Sequence, residues 1–474
     1  MRELWIDLNP DSSKALYEQI YDKIRTMIAD GKLFPGEKLP STRFMAKSLS
    51  ISRSTVEVAY EQLTAEGYLE SRPRAGYFVC DISMLYQQRQ DTPETGIVPE
   101  RLEHKMCALR FSPFEVDAEH FPYGIWNRLY KEMNAAENGA LLMSGEAQGD
   151  RKLRTAICRY LCRARGVVCQ EEQIIVGAGN EYLLLLLAQL LDSRRSVMME
   201  RYTYIQACQT FSNMGYSVHA ADVDGGGICM RDVEVQQPEL VYVMPSHQFP
   251  LGHVMPLKRR LELLAWASEG SGRYILEDDH DSEFRYKGRP IPALWGNDSG
   301  EHVIYLGTFS KSIAPSLRVS FMVLPGHLLA RYRQRCGFYS CTVPRVMQAV
   351  LYRFLEEGHF ERHLNRMRNL YKGKHDLLLH LLRQESWIKG IYGEYAGLHV
   401  LAELKGGVTE ALVTDRAYTE GLEVHGLGEY RAVPEELVSM ERPATLLLGY
   451  GNLDEADMRR GIEILRHSVS PGTE

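Results

Sequence analysis

Apolar side chains recur along this chain with two different periods. Near the N-terminus Leu16, Ile20, Ile24, Met27 and Ile28 fall on one helical face, and Gly31 marks the stop. Pro35, Gly36 and Pro40 interrupt the pattern. Ser41 then stands where it would cap a helix over residues 42–49. Ser52 would cap a third helix, whose inward stripe is Val56, Tyr60 and Leu63. Two short runs, Leu69 to Ser71 and Tyr77 to Val79, flank Arg72, Pro73, Arg74, Ala75 and Gly76, which predicts a hairpin. Helices followed by such a hairpin make a winged helix-turn-helix over residues 1–80. Its third helix presents Arg53, Ser54 and Thr55 at its first turn, as a recognition helix presents its start to base edges.

From Ser83 to His104 no apolar period is sustained, and residues 81–107 read as a linker. Beyond it the period alternates between strand and helix, the α/β manner. Apolar strands are predicted at Gln173 to Val176, Ser196 to Met199, Leu240 to Val243, Tyr274 to Leu276 and His302 to Leu306. Each runs into polar or aromatic residues, where open parallel sheets hold their ligands. Clusters at five strand ends point to one site at a common sheet edge.

Composition narrows the function. A chain of 474 residues exceeds one ordinary core, so two or more domains are expected. The net charge of −7 argues against a chain that coats nucleic acid over its whole surface. Residues 1–80 carry 11 basic and 11 acidic side chains, yet no acid lies between Glu37 and Glu57, where Lys38, Arg43, Lys47 and Arg53 fall. Arg72 and Arg74 add a second basic spot. Charge confined to one face is the footprint of a DNA-binding module. No apolar run reaches the twenty or so residues of a membrane span, and the N-terminus lacks the character of a secretory signal. Nine scattered cysteines without a CxxC pair fit a reducing cytoplasm, with Cys158 and Cys162 read as small buried hydrophobes rather than half a metal site.

The strand ends suggest the chemistry. Lys311 follows a strand and the turn Gly307, Thr308, Phe309 and Ser310, with Arg318 seven residues on. An amine beside hydroxyls and a guanidinium suits a cofactor bearing an aldehyde and a phosphate, which is pyridoxal 5′-phosphate (PLP). Gly179 and Asn180 open a helix whose free N–H groups favour a phosphate, or simply make a structural turn. Asp278, next to its strand, could pair with a pyridine nitrogen. Asp279 and Asp281 are read instead as caps or surface acids. Tyr204 either stacks on a ring or packs into the core.

Two resemblances join these readings. GKLFPGEKLPSTR, SISRSTVEVAYEQLTAEGYLE and RAGYFV resemble the GntR-type DNA-binding domain. That likeness implies that Arg43, Arg53, Ser54 and Thr55, at the start capped by Ser52, approach operator DNA. Arg72, Arg74 and Gly76 would form the wing that closes on the sugar-phosphate backbone. GEAQGDRKLR, IIVGAGNE, MPSHQFPLG, ILEDDHDSEFRY, GTFSKSIAPSLRVSFMVLP and AGLHVLAEL resemble fold-type I aminotransferases. The whole chain is therefore similar to the MocR family of transcriptional regulators.

The resemblance implies an aminotransferase-like domain over residues 108–474, with a mostly parallel sheet and a smaller C-terminal α/β subdomain from about residue 345. Lys311 would form the internal aldimine, Asp278 would pair with the ring nitrogen, and Tyr204 would stack. Gly179, Asn180, Thr308 and Arg318 would hold the phosphate. The expected function is a PLP-dependent, homodimeric, DNA-binding regulator that senses an amine, an amino acid or PLP itself; the alternative is a working aminotransferase with an accessory DNA-binding domain. Two departures stand out. His280 replaces the tyrosine of EDDYDSEF and would still reach the ring hydroxyl. Gln206 replaces the arginine of GABA-responsive relatives, which argues against GABA as effector. Arg431 falls near the family's carboxylate-binding arginine.

Overall fold

Helix α1 (Leu16–Ala29) buries Ile20, Ile24 and Ile28 and packs on α3 (Arg53–Ala65), which returns Val56, Ala59, Tyr60 and Leu63 to the same core. Between them, α2 (Thr42–Leu49) starts at Ser41, whose hydroxyl accepts the Phe44 N–H at 3.2 Å. Ser52 does the same for Thr55 at the head of α3, also at 3.2 Å. Each cap is worth about 1 kcal/mol. Buried Tyr60 donates to the Pro40 carbonyl at 3.1 Å, which ties α3 to the turn before α2.

The hairpin is longer than its apolar pattern. β1 (Leu69–Arg72) pairs antiparallel with β2 (Gly76–Val79), so Arg72 and Gly76 close the ladder and only Pro73, Arg74 and Ala75 turn. The Arg72 guanidinium lies 4.4 Å over the Phe78 ring, and this packing carries the strand past its last apolar residue. Gly76, at φ +105°, supplies the backbone conformation that lets the turn close.

The computed structural model describes residues 6–9, 12, 14–81, 107–191, 195–286, 288, 291–298, 301–433 and 443–470. The predicted linker, apart from Asp81 and Cys107, lies outside them. The chain divides into two units, within residues 1–104 and 105–474.

The second unit begins with β3 (Leu109–Arg110). Seven strands then build one sheet: β4 (Ile174–Gly177), β5 (Ser196–Glu200), β6 (Ser217–Ala221), β7 (Leu240–Val243), β8 (Tyr274–Asp279), β9 (Val303–Thr308) and β10 (Ser320–Val323). Their order is β4-β10-β9-β8-β7-β5-β6, with β10 antiparallel to both neighbours and the other pairs parallel. Alternate residues feed different cores: Tyr242 and Leu276 pack on one face, Val241 and Ile275 on the other. Two strands outrun their apolar stretch. β8 continues through Glu277, Asp278 and Asp279, and β9 through Gly307 and Thr308, because Asp278 still pairs with Leu306 and Asp279 with Gly307.

A smaller antiparallel sheet follows the helix His359–Arg383. It comprises β11 (Ile388–Tyr392), β12 (His399–Leu404), β14 (His425–Gly426) and β15 (Thr445–Gly449), in the order β11-β12-β15-β14. The intervening β13 (Leu422–Glu423) pairs parallel with β3 in a separate two-stranded sheet, which brings the start of the unit to its C-terminal part. A Cβ at Gly449 would strike the Ser112 carbonyl, so the segment after β3 passes there only against glycine. The cysteines correct one expectation. Cys208 and Cys336 are buried, but Cys162 is exposed, and half-buried Cys158 lies with its Sγ 3.9 Å from that of Cys169. Among the described residues no helix is long and apolar enough to cross a membrane.

Candidate functional site

The C-terminal ends of β4, β8 and β9 open onto one cleft, lined by Asn180, Tyr204, Asp278, His280, Thr308, Lys311 and Arg318. Phe114, Met244, Phe249 and Pro315 give it apolar walls, and Glu181 and Ser310 complete its polar lining. Lys311 is buried. Its Nζ has no hydrogen-bond partner among the described residues, lies 4.0 Å from Asp281 Oδ2 and stands 5.5 Å from the centre of the Phe249 ring. Burial pulls its ammonium below the ordinary lysine value, against the opposing pull of Asp281 and Asp278. The result is an amine that gives up its proton more readily than a surface lysine.

Asp278 is 3% exposed and accepts the Tyr242 hydroxyl at 2.5 Å, with Asn180 Nδ2 3.5 Å away. Burial pushes its carboxyl up to about 6, which is the behaviour of an acid awaiting a positive partner. At the other end, Gly179 heads the helix Asn180–Leu190 with φ +99°. A Cβ there would lie 2.7 Å from Arg318 Cζ, so only glycine leaves room for that guanidinium. Arg318 pairs with Glu181, and Glu181 accepts the Tyr204 hydroxyl at 2.7 Å. Thr308 Oγ1 accepts the Ser310 N–H at 3.1 Å and the Ser320 hydroxyl at 2.9 Å.

The acids after β8 depart from the sequence reading. Asp279 and Asp281 are neither caps nor surface acids: both are buried. Asp279 pairs with Arg165 Nε at 2.6 Å, behind the sheet. Asp281 receives His247 Nδ1 at 3.0 Å, and His280 Nε2 lies 3.3 Å away. Burial would raise the Asp281 carboxyl, but the two flanking imidazoles outweigh it and hold it well below the ordinary range. Glu181 in the lining, and Tyr242 and Asp281 behind Asp278 and Lys311, were given no site role by the sequence reading, because the fold brings them there. Ser310, one of the hydroxyls read beside Lys311, does line the cleft.

Two expected residues stand elsewhere. Gln206 is on the helix Ile205–Asn213, its Oε1 buried without a hydrogen-bond partner among the described residues. Arg431 forms an isolated bridge with Tyr202, lies 5.9 Å over that ring and faces Glu410. Neither lines the cleft.

On the first unit, Arg43, Arg53 and Ser54 are exposed on α2 and α3, with Thr55 half-buried behind them. Arg53 pairs with Glu57 one turn on, at 2.7 Å. The Ser52 hydroxyl is engaged as the cap and lies 2.8 Å from those of Ser54 and Thr55. Arg72 pairs with Glu70, and Arg74 is exposed at the wing tip with φ +62°.

Comparison with known proteins agrees with both units. Residues 16–79 match the family of bacterial regulatory proteins, gntR family, and residues 117–415 match aminotransferase class I and II. The HTH-type transcriptional regulator YdeL of Bacillus subtilis (strain 168) is 37% identical, over 97% of this chain and 98% of that one. The probable rhizopine catabolism regulatory protein MocR of Rhizobium meliloti is 32% identical, over 97% and 94%. The chain belongs to the MocR family of transcriptional regulators. A kynurenine aminotransferase structure from Pyrococcus horikoshii covers 82% of this MocR-family chain and 98% of its own, with a TM-score of 0.67 and 24% identity, and establishes the aminotransferase fold of the second unit.

The cleft passes a test of fit for PLP, the cofactor of that aminotransferase family. A buried amine without a hydrogen-bond partner among the described residues, a buried carboxyl raised to about 6 and a guanidinium seated against a glycine are the groups that an aldehyde, a pyridine nitrogen and a phosphate would satisfy.

Proposed function

We propose that this MocR-family regulator holds PLP in the cleft at Lys311 and reads an amine or amino acid, or PLP itself, there to control its grip on operator DNA. The observation that carries this reading is the buried Lys311 amine, without a hydrogen-bond partner among the described residues, in a cleft shared with Asp278 and Arg318. When bound, PLP supplies an aldehyde that condenses with primary amines and a ring that withdraws electrons. The chain's own residues do the rest. Burial keeps the Lys311 amine nucleophilic, while Asp278 offers a carboxylate to a protonated ring nitrogen. Arg318, Thr308 and the helix start at Gly179 and Asn180 hold the phosphate. Tyr204, fixed by Glu181, covers the ring, and His280 meets its hydroxyl.

In the first unit, Arg43, Arg53, Ser54 and Thr55 meet base edges and phosphates, and the wing of Arg72, Arg74 and Gly76 takes the backbone. Ser52 acts through the helix cap. The protein works in the cytoplasm as a homodimer whose recognition helices fit half-sites about one helical turn of DNA, or a multiple, apart. An effector must favour one of two states to shift that fit. Gln206 lacks the charge that would recruit a carboxylate, so GABA is a poor effector, and Arg431, outside the cleft lining, does not replace it.

Borohydride treatment after PLP addition, followed by peptide mapping, should place the reduced cofactor on Lys311. Gel shift with DNA upstream of its own gene should show sequence-specific retardation. A chain that takes up no PLP at saturation refutes the cofactor reading. Steady amino-acid turnover without retardation would favour the aminotransferase reading instead.

A further inference from the structure

Residues alternate across β8, so Asp279 and its partner Arg165 lie on the face opposite Asp278. There the helix Arg151–Arg165, the turn after β8 and the helix His359–Arg383 border an open cleft of about 290 Å³. Arg163, Arg285 and Arg368 line it together with Tyr160 and Glu283. Arg368 is satisfied, donating to the Glu283 carbonyl and to Asn365 Oδ1, each at 2.9 Å. Arg285 is not. Its Nε and Nη1 are buried and have no hydrogen-bond partner among the described residues. Buried guanidinium nitrogens without acceptors are costly, so oxygen atoms placed there would stabilise the fold.

Charge decides what that something is. Four guanidiniums line the cleft, of which Arg165 is neutralised by Asp279, and the remaining three face one carboxyl, that of Glu283, which accepts the Tyr160 hydroxyl at 2.8 Å and which burial raises to about 7. The carbonyl end of the helix Arg151–Arg165 adds only about half a negative charge. The balance is positive. We propose that this cleft is a second ligand site, for a compact oxyanion (a phosphate or carboxylate group), with Arg285 as the donor at its floor. Arg285 also borders a small cavity that reaches Ser246 and His247, and His247 bonds Asp281 beside Lys311. An anion that draws Arg285 outward therefore changes the field behind the Lys311 cleft, which makes the site a regulatory one.

The test is calorimetric titration of the full-length Arg318→Gln chain, in which the guanidinium at Gly179 no longer competes for anions. Inorganic phosphate and malonate are the separate probes. Saturable binding of either is expected, weakened about tenfold by adding Arg285→Gln and about threefold by adding Arg163→Gln. Phosphate without malonate would assign a phosphate-bearing ligand, and malonate without phosphate a carboxylate. Arg163 is exposed, so its substitution leaves the fold intact and decides the matter even if Arg285→Gln misfolds. Absence of saturable binding, or binding indifferent to both substitutions, overturns the proposal and leaves water as the acceptor for Arg285.

Discussion

Gly179→Ala puts the cofactor reading under direct strain. Gly179 holds φ +99° and ψ 167°, a region essentially reserved for glycine, so alanine there costs about 1–3 kcal/mol of backbone energy. The new methyl would also lie 2.7 Å from Arg318 Cζ and 3.0 Å from Glu181 Oε2, forcing the guanidinium out of its seat. A charge-assisted hydrogen bond to a phosphate is worth about 1.5–3 kcal/mol, so losing it should weaken PLP binding about ten- to a hundredfold. The assay is absorbance titration of the PLP-free chain, run alongside thermal unfolding. Arg318→Gln separates the two costs. Its side chain is 49% exposed, so it should lose a similar affinity with little change in stability. Both substitutions remove the same contact, so in combination their effects on PLP affinity should fall short of the sum. Were Gly179→Ala to bind PLP within about twofold of the natural chain, the phosphate would not sit at this glycine.

Further outcomes follow from the buried charges. Asp278 titrates near 6 in the folded chain against an ordinary 3.8, so the folded state binds its proton more tightly than the unfolded state does. Stability should therefore fall as pH rises from 4 to 7, by up to about 3 kcal/mol relative to Asp278→Asn, as urea unfolding of the PLP-free proteins would reveal; a difference that ignores pH would show that the carboxyl is not held neutral. Arg165→Met strands Asp279, whose side chain is 4% exposed, and should cost about 3–5 kcal/mol in the same measurement, partly restored by adding Asp279→Asn. Arg53→Ala gives up only a surface pair with Glu57, so stability should hold while operator affinity drops by about 1–3 kcal/mol in gel shifts at fixed salt. Arg431→Ala should leave PLP uptake unchanged, because Arg431 faces Tyr202 and Glu410 rather than the cleft.

The DNA-binding head was legible because its signals are local. A 3.6-residue stripe, serines at two helix starts and a missing run of acids each act within a turn or two, and α1 to α3 form where they say. Lys311, Asp278 and the Gly179 loop were legible for a related reason: a strand end is written in the switch from apolar to polar residues, and open parallel sheets keep their chemistry there. The limits were equally physical. The apolar pattern stops β8 at Leu276, whereas its hydrogen-bonded ladder carries it to Asp279, so place next to the strand picked out Asp278 but wrongly put Asp279 and Asp281 at the surface.

By itself, then, the order of residues determined the two units, the strand ends and the kinds of side chain that gather there. The tertiary structure alone decided which of those side chains share a cleft. It buried Asp279 and Asp281 and gave them separate partners, paired Glu181 with Arg318, and turned Arg431 toward Tyr202. Periodicity reports which way a side chain faces within its own element, but the desolvation that sets a carboxyl's charge comes from strands and helices that lie apart in the sequence and meet only in the fold.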